Sequence, residues 1–382
     1  MPVLNILPSR LPVCALARTS GSVHPRVEPP KYEVFHLVLM VTHRCNLRCR
    51  YCYTGRKFRR SMTPAIAHAA VDCAIRTIPS GGILELGFFG GEALLEAELV
   101  EETLNYAWRA SEEAGIELRP GLTTNGTITT DAAWRVMLRP ELHLAISHDG
   151  LPQIHDRHRR RRDGSGTAHQ VLQTIRRLRE ASRPLRAVMV VRPDNCGVLP
   201  EGIRWLRKRG VQSIDLSLDV WAAWGPGDIG TLEQALVRVA RLWRSGLPEH
   251  RINWFDEKAA RLASLETQPT ARCGFGRGEI AVAPSGNLYP CERVIGEDYA
   301  GHPFRLSPHV LQCDDFCSPP REPLLPAACR NCAIQPHCNT ACRCNNFIRT
   351  GDATRPDTLL CTRERVLYQQ TARALGISLS AT

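Results

Sequence analysis

Short apolar runs alternate with longer amphipathic segments over residues 34–245 of the chain. The apolar runs predict buried strands, and the segments between them repeat apolar residues at helical spacing. This repeat predicts a parallel sheet with helices outside, either an open doubly wound sheet or a partial barrel. Six strands are predicted at 35–41, 83–89, 116–123, 142–147, 185–191 and 213–218, and six helices at 63–78, 95–114, 130–138, 167–182, 198–209 and 230–245.

The pattern changes after about residue 256. A helix-like stretch near 257–265 leads into a region that is poor in long elements and dense in Cys, Pro and Gly. Such a region buries too little apolar area to hold itself together, so metal sites are expected to stabilise it. We therefore divide the chain into an N-terminal extension (1–31), an α/β unit (32–255), a linker helix (256–272) and a cysteine-rich domain (273–382).

The cysteine content changes the chemistry that is expected of this fold. Sixteen cysteines occur in 382 residues, whereas disulfide frameworks belong mainly to small secreted domains. The N-terminus has no basic residue before its first apolar run, which argues against a signal peptide. No apolar stretch reaches the roughly 18 residues of a membrane span. We therefore predict a cytoplasmic protein, without a membrane partner, whose cysteines mainly bind metal.

The net charge of +11 comes mainly from arginine, and the densest basic run is 157–162. A run of this kind is usually a solvated face of a helix or loop. A nucleic-acid patch is the less favoured interpretation, and a docking site for an acidic peptide is a third.

The first predicted strand ends in a C-x3-C-x2-C motif formed by Cys45, Cys49 and Cys52. In barrels and open parallel sheets, active sites form at the carboxyl ends of the strands. Three thiolates can hold three irons of a 4Fe–4S cluster and leave the fourth iron open. An open iron can bind a small chelating ligand, as a catalytic zinc does at its free position.

This segment, with Tyr51 just before the third cysteine, resembles the cluster loop of the radical S-adenosylmethionine (SAM) superfamily. The resemblance implies a partial (β/α)6 barrel in which SAM chelates the open iron through its amino and carboxylate groups. An electron from the reduced cluster then cleaves SAM to methionine and a 5′-deoxyadenosyl radical. An external electron donor such as flavodoxin or ferredoxin is implied as a partner.

Further motifs follow the next predicted strands. Residues 88–92, Phe-Phe-Gly-Gly-Glu, resemble the family's G-G-E motif, which holds the methionine amino group, although Ala93 stands where relatives usually have Pro. By the same resemblance, a serine after strand four binds the SAM ribose and an arginine lies near the SAM carboxylate, while His148 replaces an apolar residue. The residues expected to bind SAM are Tyr51, Gly90, Gly91, Glu92, Asn125, Ser147 and Arg159.

The cysteine-rich region carries two further patterns. One is C-x12-G-x4-C from Cys273 to Cys291, and the other is C-x2-C-x5-C-x3-C from Cys329 to Cys342, followed by Cys361. The four-cysteine run alone would also suit a zinc ribbon. The full order resembles the SPASM branch of the superfamily, named for its subtilosin, pyrroloquinoline quinone, anaerobic sulfatase and mycofactocin maturases.

That resemblance implies two auxiliary 4Fe–4S clusters. The outer cluster would be held by Cys329, Cys332, Cys338 and Cys361, and the inner cluster by Cys273, Cys291 and Cys342. The fourth ligand of the inner cluster stays open: Cys344, Cys313 or Cys317 could serve, or the iron could remain open for a substrate thiolate.

Three functions are compatible with these motifs. We favour an enzyme that modifies a side chain of a ribosomally made peptide or protein, with a sulfatase-maturing, formylglycine-generating enzyme as the alternative. Glu292 follows Cys291 directly, where sulfatase-maturing relatives have an Asp that is thought to be the general base, so we predict Glu292 as a catalytic residue. A non-catalytic iron–sulfur electron carrier or zinc protein is disfavoured, because a carrier needs no SAM pocket.

Overall fold

The computed structural model describes residues 31–263, 275–317, 327–338 and 342–378. Its centre is one sheet of nine strands, ordered β7-β6-β5-β4-β3-β2-β1-β8-β9. All neighbouring strands are parallel except β8 and β9, which are antiparallel. The strands are β1 (Val34–Thr42), β2 (Ile83–Gly90), β3 (Glu117–Thr124), β4 (His143–Ser147), β5 (Arg186–Val191), β6 (Ser213–Leu218), β7 (Arg251–Ile252), β8 (Glu279–Val282) and β9 (Leu288–Tyr289).

All six predicted strands and all six predicted helices are confirmed, with small shifts at their ends. The largest shift is at α7, which begins at Pro226 because proline is favoured in the first turn of a helix. A short helix, α4, was not predicted. The helices are α1 (Pro64–Thr77), α2 (Ala97–Glu113), α3 (Asp131–Met137), α4 (Pro152–His158), α5 (Ala168–Glu180), α6 (Leu199–Arg207), α7 (Pro226–Gly246), α8 (Asn253–Ala263), α9 (Ala327–Arg330), α10 (Arg343–Thr350) and α11 (Thr358–Leu375).

The two faces of the sheet have different neighbours. Alternate residues of β5, such as Ala187 and Met189, belong to the main apolar core together with residues of the helices. Their neighbours Val188 and Val190 line an interior cavity. A doubly wound sheet has helices on both faces, so this one-sided arrangement is that of the predicted partial barrel.

The cysteine-rich region has more regular structure than the sequence predicted. Its strand β8 extends the sheet in parallel beside β1. Its helix α11, which is 18 residues long, packs against α7 and α8. Asp357 caps α11 by accepting a hydrogen bond from the Leu360 N–H at 3.0 Å. The expectation of a region poor in long elements was therefore wrong at its C-terminal end. The domain boundaries themselves stay a prediction, and 264–272 of the linker lie outside the described residues.

A buried ion pair joins α8 to α11. Lys258 Nζ donates to Glu364 Oε2 at 2.7 Å, and both side chains are almost fully shielded from solvent. The same ammonium also donates to the His337 carbonyl, next to the predicted ligand Cys338. The pair therefore ties two helices to the loop of the predicted outer cluster.

Replacing Lys258 with Met is expected to lower the free energy of unfolding by about 2 kcal/mol, because it removes the ammonium that pairs with the buried Glu364 carboxylate, which keeps its ion pair with Arg363 at 2.8 Å. Urea unfolding of the anaerobically purified protein measures the effect. Lys208→Met, at an exposed position, is the matched control and should change stability by less than about 0.5 kcal/mol. Equal midpoints for the two variants would contradict a stabilising role of the pair.

Within the described ranges, no helix combines the length and the apolar character that a membrane crossing requires.

Candidate active site

The carboxyl ends of the central strands border one cavity of about 320 Å³. Parallel strands end at the same edge of a sheet, so loops that are distant in sequence meet there. The structure brings all the predicted SAM-binding residues and the first three predicted iron ligands to this cavity. Its lining includes Cys45, Cys49, Cys52, Tyr51, Gly90, Gly91, Glu92, Asn125, Ser147 and Arg159.

The three thiols of the β1 loop lie in unequal surroundings. Burial raises the pKa of Cys45 to about 11 and that of Cys49 to about 12. Burial acts in the same direction on Cys52, but the Lys57 ammonium, 2.9 Å from its Sγ, brings its pKa below the ordinary value. Lys57 therefore favours the thiolate, the form that binds metal. Three thiols around one cavity fit a 4Fe–4S cluster with one iron left open.

Gly90 and Gly91 allow the β2 loop to pack directly on the β1 loop. A Cβ on Gly91 would lie 2.1 Å from the Arg44 carbonyl oxygen, and one on Gly90 would lie 2.7 Å from that of Thr42. The Gly91 N–H donates to the Thr42 carbonyl, and the Glu92 N–H donates to the Arg44 carbonyl, both at 2.8 Å. These glycines thus fix the carboxylate of Glu92 relative to the cysteine loop.

The Glu92 carboxylate is buried and held from two strands. Its Oε1 accepts from the Thr124 hydroxyl at 2.7 Å and from the Leu94 N–H at 3.1 Å, and its Oε2 accepts from the Asn125 N–H at 2.7 Å. Burial raises the pKa of Glu92, and these hydrogen bonds act in the opposite direction. The result is a preorganised carboxylate that faces a cavity able to hold a cation.

Asp149 organises the other side of the cavity, a role that the sequence did not reveal. Its carboxylate accepts from the Tyr51 hydroxyl at 2.5 Å, and it forms two hydrogen bonds with the Arg159 guanidinium at 3.1 and 3.2 Å. Burial alone would raise the pKa of Asp149, but Arg159 holds it below the usual value. Tyr51 and Arg159 are therefore linked through Asp149, and Ser147 lies two residues before it.

A second cavity, of about 410 Å³, lies next to the first and is lined by Cys291, Cys342 and Cys344. The Cys344 Sγ is 3.3 Å from that of Cys342 and 3.7 Å from that of Cys291. Two of the three predicted inner ligands are thus brought together with Cys344. Cys273, the third, lies outside the described residues.

Glu292 and Arg293 border both cavities. The Cys291 Sγ lies 3.3 Å from Glu292 Oε2, and Arg293 donates to the Ser217 hydroxyl at 3.2 Å. The predicted catalytic carboxylate therefore stands between the cavity of the predicted SAM site and the inner thiols.

The four predicted outer ligands also lie near one another. Burial raises the pKa of Cys361 to about 11, and the neighbouring thiols of Cys338, Cys329 and Cys332 add to this rise. Such mutual effects require short separations. Cys338, Cys329 and Cys332 therefore lie within electrostatic reach of Cys361, while their joint binding of a cluster stays a prediction.

The remaining candidates for the fourth inner ligand lie elsewhere. Cys313 packs in the main core, where its carbonyl accepts from the Cys73 Sγ of α1 at 3.2 Å. Cys317 follows Phe316, whose ring stacks on Phe35 of β1 at 5.7 Å. Both residues are thus anchored on the helix-covered side of β1.

An aromatic stack, also missed by the sequence analysis, forms one wall of the first cavity. The Tyr53 ring stacks on Trp221 at 4.9 Å and on Phe89 at 5.8 Å. Trp221 is 42% exposed, so the stack extends from the cavity towards solvent. Its members are far apart in the sequence, and only the fold brings them together.

Comparisons with known proteins agree with this geometry. A family model described as the radical SAM superfamily matches residues 39–196, a range that contains the three thiols, Glu92, Ser147 and Arg159. The serine-type anaerobic sulfatase-maturating enzyme of Klebsiella aerogenes is 24% identical over 349 residues, which cover 82% of this chain and 81% of that relative. The PqqA peptide cyclase of Gluconobacter oxydans is 22% identical over 337 residues, with coverage of 84% and 88%.

The fold is also similar to that of solved structures. One of them, native anSMEcpe with bound AdoMet and Cp18Cys peptide, superposes with a TM-score of 0.74 at 16% identity. The superposition covers 89% of this chain and 98% of that chain. The likeness therefore includes the cysteine-rich region as well as the barrel.

Proposed function

We propose that this chain, an enzyme of the radical SAM superfamily, modifies a side chain of a ribosomally made peptide or protein. Family membership implies a 4Fe–4S cluster and SAM as cofactors. The observation that carries the proposal is the convergence of Cys45, Cys49, Cys52 and Glu92 on one cavity beside a second, thiol-lined cavity.

In this proposal Cys45, Cys49 and Cys52 hold the cluster at the end of β1. When bound there and reduced, the cluster supplies the electron that cleaves SAM to methionine and a 5′-deoxyadenosyl radical. Glu92 accepts hydrogen bonds from the methionine ammonium of SAM, a charge that suits a buried carboxylate. Ser147 binds the ribose, Arg159 lies near the SAM carboxylate, and Gly90, Gly91, Asn125 and Tyr51 shape the pocket.

We further propose two auxiliary 4Fe–4S clusters. Cys329, Cys332, Cys338 and Cys361 would hold the outer one, and the effect of the other three thiols on the pKa of Cys361 supports this assignment. Cys291 and Cys342 would hold the inner one, together with Cys273 from the sequence prediction. Glu292 would take a proton from the substrate, while the inner thiols hold beside it a group able to accept an electron.

The proposed substrate is a peptide segment rather than a small molecule. The wall of Phe89, Tyr53 and Trp221 offers an apolar surface that extends from the cavity to solvent, as a chain entering from outside requires. Similar proteins are named for peptide cyclisation and for sulfatase maturation. Glu292 stands where sulfatase-maturing relatives carry Asp, which favours the peptide maturase over formylglycine formation.

The test is anaerobic turnover with dithionite and SAM, first alone and then with candidate peptides. We expect 5′-deoxyadenosine in both cases and a mass change only in the true peptide. Short peptides encoded beside the gene test the favoured substrate class, and a peptide bearing a sulfatase Cys or Ser motif tests the alternative. A protein that never forms 5′-deoxyadenosine would be a carrier, and the proposal would be wrong.

Replacing Glu92 with Gln is expected to weaken SAM binding ten- to a hundredfold while the iron content stays intact. A hydrogen bond to a charged group contributes about 1.5–3 kcal/mol, which corresponds to this range of affinity. Equilibrium binding of SAM to the reconstituted protein measures the change. Glu98→Gln, on the exposed face of α2, is the control. Unchanged SAM affinity would assign Glu92 the purely structural task of joining β2 to β3.

A further inference from the structure

A third cavity, of about 540 Å³, lies beside the β1 loop and is lined mainly by basic side chains. It shares only Cys45 and Lys57 with the cavity proposed for SAM. We infer that this third cavity is the docking surface for an acidic one-electron carrier protein, which reduces the cluster predicted at Cys45, Cys49 and Cys52. The inference rests on the proposed function in one respect, namely that these three thiols hold a reducible cluster.

The charge of the third cavity favours an acidic partner. Asp163 is its one acidic residue among those described, and its basic residues are Arg44, Lys57, Arg59, Arg161 and Arg162. Arg44 already forms an ion pair with Glu96 at 3.1 Å. Arg59 and Arg162 are exposed, and neither forms an ion pair within the described ranges. An excess of unpaired positive charge in a concave surface attracts acidic molecules and steers their approach.

The arginine run 157–162, for which the sequence left three interpretations open, forms one side of this cavity. Its backbone pairs with the β1 loop: the Arg48 N–H donates to the Arg160 carbonyl at 2.7 Å, and the Arg50 N–H donates to the His158 carbonyl at 3.0 Å. The last two arginines of the run line the cavity. Hydrogen bonds of the backbone therefore fix this positive charge beside the loop that carries the three thiols.

Two half-buried apolar side chains, Phe58 and Leu95, add apolar surface to the same cavity. The Phe58 ring stacks on that of His43 at 4.3 Å, so its position is fixed before a partner arrives. Protein interfaces combine an apolar centre with a polar rim, and encounters between redox proteins use small interfaces. A basic cavity with a little apolar surface suits such a transient complex.

The location of the cavity favours an electron carrier over the peptide substrate. Cys45 lines both this cavity and the one proposed for SAM. The described lining of the third cavity includes neither Glu292 nor any member of the aromatic wall. A docked protein thus approaches the β1 loop without entering the cavity proposed for SAM. Electron transfer requires only this proximity, whereas a peptide that is modified must reach the SAM cavity itself.

The N-terminal extension is a poor occupant on grounds of charge. Residues 1–30 lie outside the described residues, and their sequence contains three arginines and one glutamate. A basic segment does not complement a basic cavity, because like charges that face each other are unfavourable. The charge therefore favours a separate, acidic protein.

The inferred step is a transfer of one electron. The carrier, a protein with a flavin or an iron–sulfur centre of low potential, loses one electron, and the cluster held by the β1 loop gains it. No covalent bond forms or breaks, and no atom moves between the two proteins. Because the complex is held mainly by exposed charges, its affinity should fall as ionic strength rises.

The test measures binding of an acidic flavodoxin, labelled with a fluorophore, to the reconstituted full-length enzyme by fluorescence anisotropy at low and at high ionic strength. The double variant Arg59→Glu, Arg162→Glu should weaken binding at least about tenfold at low ionic strength, because two attractive charges become repulsive. The difference should shrink at high ionic strength. The control, Arg109→Glu with Arg176→Glu at exposed positions of α2 and α5, changes the net charge equally and should alter the affinity less than about twofold.

Turnover supplies a second readout. Iron content and dithionite-driven formation of 5′-deoxyadenosine should match the unsubstituted enzyme in both double variants, because dithionite needs no docking surface. Formation of 5′-deoxyadenosine driven by reduced flavodoxin should fall only in the Arg59→Glu, Arg162→Glu variant.

Three results would overturn the inference. One is that neither flavodoxin nor an acidic ferredoxin binds the unsubstituted enzyme. Another is equal affinities of the two double variants, because net charge rather than this cavity would then govern binding. The third is full flavodoxin-driven cleavage in the Arg59→Glu, Arg162→Glu variant with less modified peptide under dithionite, which would assign the cavity to an acidic segment of the substrate. Failure of the proposed function looks different: the unsubstituted enzyme would form no 5′-deoxyadenosine with dithionite, whatever its affinity for the carrier.

Discussion

Changing Cys45, Cys49 and Cys52 together to Ala is expected to abolish the formation of 5′-deoxyadenosine and to remove about a third of the bound iron. The three thiols line the cavity that also contains Glu92, Ser147 and Arg159, and none of the described thiols of the cysteine-rich region lines it. The unsubstituted protein should bind roughly twelve irons, four for each of three clusters. The variant should keep the eight irons that belong to the two clusters predicted in the cysteine-rich region.

Anaerobic iron analysis and chromatography of SAM-derived products measure the two effects. Cys196→Ser is the matched control, because Cys196 is buried away from the cavity and its Sγ lies 3.4 Å from the Pro193 carbonyl. The control should retain both the iron and the cleavage activity. If the triple variant still formed 5′-deoxyadenosine, the assignment of the cluster to the β1 loop would be wrong.

The barrel could be predicted from the sequence because each strand–helix unit is local. A buried parallel strand appears as one apolar run, and its helix follows within a few residues. Strand β8 breaks this rule, since it pairs with β1 through the register His36–Glu279, across most of the chain. Nothing in four residues of sequence indicates such a partner.

In the candidate active site, too, local features could be predicted from the sequence and long-range contacts could not. Residues at the ends of successive strands were predicted to meet, and Glu92, Asn125 and Ser147 do line one cavity. The role of Asp149 could not be predicted from the sequence, because its partner Tyr51 is 98 positions away. Lys57 belongs to no recognisable motif, so the sequence did not predict that its ammonium lies 2.9 Å from the Cys52 Sγ.

The cysteine-rich region shows what the spacing of cysteines alone cannot predict. Its motif groups Cys329, Cys332, Cys338 and Cys361 through the resemblance to a known ligand set, and this grouping stays a prediction. The inner set could not be completed this way, because three cysteines and an open iron satisfied the spacing equally well. In the structure the Cys344 Sγ lies 3.3 and 3.7 Å from those of Cys342 and Cys291, whereas Cys313 packs in the main core.

The second large effect is expected from a substitution of Glu292, because of where its side chain lies. Its carboxylate borders the cavity proposed for SAM and the cavity of the inner thiols, with Oε2 3.3 Å from the Cys291 Sγ. Under the proposed function, it would take a proton from a substrate held between the two cavities. The alternative, a carboxylate that only pairs with Arg293 at the surface, would contribute under about 1 kcal/mol. Arg293 in fact donates to Ser217.

Replacing Glu292 with Gln is expected to lower the yield of modified peptide at least a hundredfold while SAM cleavage continues, because a positioned general base contributes about 10²–10⁴ in rate. The amide keeps the shape of the side chain but cannot accept the proton, and the β1 thiols are untouched. The ratio of modified peptide to 5′-deoxyadenosine measures this uncoupling. Glu292→Asp should restore part of the yield, and Glu297→Gln, at an exposed ion pair with Arg56, should leave the ratio unchanged. Full product yield from Glu292→Gln would assign proton removal to another group and leave Glu292 without a catalytic role.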